Sequence, residues 1–105
     1  MSWIYLILAG FFEIGWPLGL KLTQTMPSKV LGFVIAGISI ILSGVFLWIA
    51  QKSIPIGTAY AVWTGIGAVG TLLVGIAFFG DSSSVWRMLS ASLIVIGIIG
   101  LKLAH

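Results

Sequence analysis

Glu13 lies midway along an apolar run from Trp3 to Leu22 and is one of only two acidic residues in the 105-residue chain. A carboxylate at the centre of a membrane helix costs about 2.5 to 3.5 kcal/mol, so it persists where it faces a partner, a cavity or a transported ion. Proton or cation binding is the chemistry this position offers. Helical spacing puts Gly10, Glu13, Trp16, Pro17 and Leu20 on roughly one face. Gly10 is expected to leave room beside the carboxylate, and Trp16 to supply an aromatic surface one turn away. Pro17 cannot donate the backbone hydrogen bond that the Glu13 carbonyl would accept, which predicts a kink and a free acceptor beside the acid. The plainer alternative is that Pro17 is an ordinary membrane-helix proline and that Trp16 packs against lipid or a neighbour.

Other polar side chains recur at spacings that could serve the same site. Ser39 and Ser43 stand four apart on one face of the second run, where a hydroxyl could donate to Glu13 or orient a ligand. Their alternative role is interhelical adhesion, worth about 0.6 kcal/mol on average in membrane proteins. In the third run, Tyr60 and Trp63 could bracket a cation with their rings, or belong to an interfacial aromatic belt. Small residues at 57, 61 and 65 and at 67, 71 and 75 form two rows that permit close approach or bending, with Gly65 and Gly67 among them. In the fourth run, Ser90 and Gly97, followed by Gly100, make a narrow face on which a dimer seam is expected. Lys21, Lys52 and Lys102 sit at helix ends, where snorkelling is their default role. Asp81 falls in a connection, suited to capping or to pairing with Arg87.

Several functions are excluded or left without support. Cysteine is absent, which removes thiol chemistry, disulfides and Cys-based metal sites. The only histidine is His105, at the carboxyl end, so neither a His-based metal site nor a Ser/His pair is expected. One buried acid with no nucleophile and base in reach argues against an enzyme. No cofactor is implied. The net charge of +3 comes from five basic residues scattered over helix ends rather than clustered, which does not fit nucleic acid.

The elements that must position these residues follow from composition. With 60% hydrophobic and 7% charged residues and a mean hydropathy of +1.25, the chain has too little polar surface to solvate a globule. Four apolar runs, approximately 3–22, 30–51, 58–79 and 85–103, each approach the 20 or so residues that a helix needs to cross a bilayer. The expected architecture is an all-α membrane protein: a single four-helix transmembrane domain over 1–105. The first run has no cationic flank and is too long for a signal core, so it reads as a retained helix. Pro27 and Pro55 suit the approach to a helix, and the Asp and Ser residues of the third connection can cap one.

Orientation normally follows the cytoplasmic excess of Lys and Arg. Lys21, Lys29 and Arg87 fall on one side, and Lys52 and Lys102 on the side of both termini. Three against two is nearly balanced, which leaves open either one fixed topology or insertion both ways and an antiparallel dimer. Four helices can hardly enclose a solvated pathway alone. Transporters often obtain alternating access from inverted repeats; no internal repeat is visible here, and two oppositely oriented copies would supply that symmetry.

These residues resemble the small multidrug resistance family of four-helix bacterial transporters over almost the whole chain. The resemblance rests on the buried Glu13 and on a third-helix signature of Pro55, Gly57, Ala59, Tyr60, Ala61, Trp63, Gly65 and Gly67. Glu13 followed by Trp16, the run WTGIGAVG from Trp63 to Gly70 and the ending GIIGLKL from Gly97 to Leu103 are similar to the guanidinium exporter subtype. The resemblance implies an antiparallel homodimer in the bacterial inner membrane that exchanges protons for guanidinium; small substituted guanidines are candidate further substrates whose tolerance the sequence leaves open. It further implies Glu13 as the shared proton and substrate site, and Trp16, Ser43, Tyr60 and Trp63 as pocket residues. The third-helix glycines would permit bending, and the role of Lys102 stays open. Competing readings are a polyspecific exporter of quaternary ammonium drugs and, from another class, a small assembly subunit whose Glu13 only pairs with another protein's helix.

Overall fold

The computed structural model describes residues 2–104; His105, the only histidine, lies outside them. The chain forms α1 (Ser2–Thr25), α2 (Lys29–Ala50), α3 (Ile56–Phe78) and α4 (Val85–Ala104), with no strand among the described residues. At 1.5 Å rise per residue, helices of 20 to 24 residues are about 30 to 36 Å long, enough to cross a hydrocarbon core of about 30 Å. All four are apolar enough to do so. α1 runs past the apolar segment to Thr25. The Thr23 and Thr25 hydroxyls bond back to the carbonyls of Leu20 and Lys21 within its last turns.

The connections are built locally. The Ala50 carbonyl accepts from the backbone N–H groups of both Ser53 and Ile54, and Ile54 is buried under the turn. Pro55 then precedes the first turn of α3, where its missing N–H is not needed. Ser84 caps α4 by accepting from the Arg87 N–H at 3.3 Å. At the close of α3, Gly80 adopts a left-handed φ of 72° and turns the chain back, so that the Gly75 carbonyl accepts from both Phe79 and Asp81.

In lipid, apolar side chains gain nothing from leaving water, so association depends on close packing. α1 and α2 meet through small residues. A methyl group at Gly19 would lie 2.6 Å from the Gly32 carbonyl oxygen, and one at Gly32 would strike Thr23. Toward the terminal end, the ring of Phe46 stacks between Tyr5 and Phe12 at centroid distances of 5.8 and 5.7 Å. Leu6, Ala50, Ile54, Ala59 and Val62 form the core there. α3 lies mainly against α1, and the backbone of α4 approaches only that of α3. The start of α1, the end of α4 and the second connection share one end, as four antiparallel crossings require: Ser2 hydrogen-bonds Ser53, and Lys102 lies over the Trp3 ring.

Candidate cation-binding site

Glu13 projects from α1 against α3, and Gly67 is what admits it. A methyl group at Gly67 would sit 2.5 Å from Glu13 Cγ and 3.1 Å from Cβ. One turn on, Trp16 donates its indole N–H to Glu13 Oε1 at 2.5 Å, holding the carboxylate on the half-buried face of α1. A carboxylate offers about four lone-pair positions, so this bond leaves room for further donors.

Across a cavity of about 370 Å³, the wall comprises Glu13, Trp16, Ile40, Ser43, Gly44, Leu47 and Trp63, drawn from α1, α2 and α3. Ser43 is buried and pins the three helices together. Its hydroxyl donates to the Ala9 carbonyl of α1 at 2.8 Å and accepts from the Trp63 indole of α3, also at 2.8 Å. A hydroxyl has one proton and two lone pairs. One lone pair of Ser43 is therefore not used by these two bonds, and the residue borders the same cavity as Glu13. Trp16 and Trp63 add aromatic faces that attract positive charge. The arrangement can hold a small cation by hydrogen bonds and ring contacts, or a proton on the acid.

The structure brings Glu13, Trp16, Ser43 and Trp63 around this one cavity. Tyr60 is exposed and tilts against the Trp63 ring at 5.5 Å, standing beside the cavity rather than on the single chain's wall. Two sequence expectations change. Gly10 seats Ile66 of α3, whose Cβ would lie 2.7 Å from an added methyl, and space for Glu13 comes from Gly67 instead. Ser39 packs against Gly15 of α1, where a methyl would lie 2.8 Å from the Ser39 Cβ, and stands apart from the cavity wall. Gly65 lies under Ile94 and Ile98 of α4. Ser90 is exposed and bonds within its own helix, to the Trp86 carbonyl at 2.8 Å. Gly97 and Gly100 border open space.

A second cavity, of about 320 Å³, lies on the other side of the acid between α1 and α3, lined by Glu13, Trp16, Pro17, Thr64, Gly67, Ala68 and Thr71. Sequence reasoning missed Thr64 and Thr71 as lining residues. The two threonines stand seven apart, two turns of helix and hence one face, which was the available sign.

Comparison with known proteins fits this geometry. The sequence pattern of the Small Multidrug Resistance protein family matches residues 1–94. A guanidinium exporter of Proteus vulgaris is 51% identical over 104 residues, covering 99% of both chains. The guanidinium exporter of Escherichia coli K12 is 51% identical over 99% of this chain and 98% of its own length, and that of Yersinia pestis 50% identical over 99% of each. With four spanning helices, three of which line an acid-bearing cavity, the chain belongs to the small multidrug resistance family: a multi-pass transporter of the bacterial inner membrane, not an enzyme.

Proposed function

We propose that this protein exports guanidinium in exchange for protons, with both ions competing for Glu13. The observation that carries the reading is the Glu13 carboxylate held by Trp16 on a cavity that Ser43 and Trp63 also line. The guanidinium exporters about 51% identical to this chain support the choice of cation. Guanidinium is planar, permanently charged and rich in donors whose fork matches a carboxylate. Glu13 can take that fork, and Ser43 can accept a further N–H. Quaternary ammonium ions have no N–H to return, so polar groups dedicated to this cation would be left unmatched by them.

Coupling follows from one carboxyl group serving two ligands. A proton on Glu13 removes the charge and the acceptor positions that the cation needs, and a bound cation holds the carboxylate ionised. If access alternates when either ligand is bound, an inward proton gradient drives outward cation movement. The working unit in this reading is an antiparallel homodimer in the lipid bilayer, with Glu13 of both copies at one shared site. The balanced positions of Lys21, Lys29, Arg87, Lys52 and Lys102 and the exposed α4 face with Ser90 and Gly97 support it. Tyr60 would join the pocket in the pair, and Gly65 and Gly67 would let α3 bend as access alternates.

The test is reconstitution into liposomes with a trapped proton-sensitive dye. Guanidinium should evoke proton flux, tetraethylammonium little, and Glu13→Gln should abolish the response. Equal flux from Glu13→Gln would remove the carboxylate from the mechanism.

A further inference from the structure

A third cavity, of about 270 Å³, continues the α1/α3 groove away from Glu13, and its wall includes Pro17, Lys21, Thr71, Gly75 and Asp81. Pro17 and Thr71 line both this cavity and the one that contains Glu13, so the two adjoin along the α1/α3 face between the acid and the helix ends. Eight residues of helix separate Glu13 from Lys21, about 12 Å of rise. A cation reaching Glu13 along this groove meets Lys21 first. A bare ammonium there would repel it.

The third connection returns an acid to that spot. Gly80 turns the chain with its left-handed φ, and the Asp81 N–H bonds the Gly75 carbonyl at 3.1 Å. The carboxylate then lies flat on α3 because buried Gly75 has no side chain: a methyl there would come 3.1 Å from Asp81 Cγ and closer still to its Oδ2. Asp81 is the chain's other acidic residue, and the fold aims it into the mouth of the groove. Capping alone would not require a glycine seat for its carboxylate.

Resting on the exporter reading, we infer that Asp81 is a positioning residue for cation access, offsetting Lys21 at the groove mouth so that guanidinium can pass inward to Glu13. It acts on the rate of entry and not on the bound state; with release back to the same side slower than turnover, KM follows that rate and kcat does not. Two unit charges about 4 Å apart in water attract by an amount worth about fivefold in occupancy. That attraction is screened when the Debye length falls from about 30 Å at 0.01 M salt to about 3 Å at 1 M.

Guanidinium-evoked proton flux in liposomes would be measured at both salt concentrations for wild type, Asp81→Asn, Lys21→Gln, the double variant and Gly75→Ala. Asp81→Asn should raise KM about fivefold at low salt with kcat unchanged, and the difference should shrink below about twofold at 1 M. Lys21→Gln should lower KM, and the double variant should return to within about twofold of wild type. Gly75→Ala, which keeps every charge but unseats the carboxylate, should shift KM in the direction of Asp81→Asn. An unchanged KM in Asp81→Asn at low salt, a shift indifferent to salt, or one not relieved by Lys21→Gln would overturn the inference. Absence of guanidinium flux in the wild type would instead sink the exporter reading on which it stands.

Discussion

Gly67→Ala adds one methyl group and no charge, yet it should disable the site. The new carbon would lie 2.5 Å from Glu13 Cγ, far inside van der Waals contact, and Gly67 is buried in the middle of α3. Two relaxations are available: α3 moves away from α1, or Glu13 swings off its seat and loses the Trp16 bond. Overpacking of this kind costs about 1 to 3 kcal/mol. Because the displaced group is the carboxylate proposed to bind the cation, that cost recurs each time Glu13 returns to its productive position. At 1.36 kcal/mol per factor of ten, kcat/KM for guanidinium should fall between about fivefold and about 150-fold. The control is Gly37→Ala on α2, where nothing lies within 4 Å of the added methyl. It exchanges the same atoms, gains helix propensity of up to about 1 kcal/mol and should leave transport intact. Both variants would be compared by proton flux in liposomes at matched protein density. If folded Gly67→Ala transports within twofold of Gly37→Ala, the seat of Glu13 is not the one described.

Two more outcomes follow from single contacts. Ser43→Ala leaves the Trp63 N–H and the Ala9 carbonyl without their shared partner at a cost of about 1 to 3 kcal/mol; thermal unfolding in detergent should show a lower Tm, and flux titration a KM for guanidinium raised about tenfold. Gly97→Leu should disrupt pairing while sparing the helical content of the single chain, because Gly97 borders open space there; crosslinking in membranes would detect the lost dimer, and full dimer yield would argue for a seam elsewhere.

The helices were legible because apolar runs near the length of a bilayer crossing leave the chain no other stable backbone arrangement. Glu13 was legible for the same reason: a charge in that medium needs a purpose. Which small residue faces it was not. Gly10 precedes Glu13 by one turn on α1, but same-face placement says nothing about what approaches from another helix. The α1/α3 packing gives Gly10 to Ile66 and Gly67 to Glu13. Ser39 and Ser43 share a face by spacing, yet the crossing of α2 over α1 sends Ser39 onto Gly15 and Ser43 between Ala9 and Trp63. The fold of the last connection was invisible too, since the direction of the Asp81 carboxylate depends on a left-handed Gly80 one position back and a vacant Cβ at Gly75 six positions back.

The indole hydrogen bond from Trp16 to Glu13 gives the molecule an optical handle on its own chemistry. An indole N–H aimed at an anion has a different electronic surrounding from one whose acceptor has been neutralised or shared with a ligand. Replacing the other four tryptophans, Trp3, Trp48, Trp63 and Trp86, with phenylalanine would leave a lone emitter hydrogen-bonded to the Glu13 carboxylate. Its spectrum could then follow loading of the acid in real time, with no dye attached.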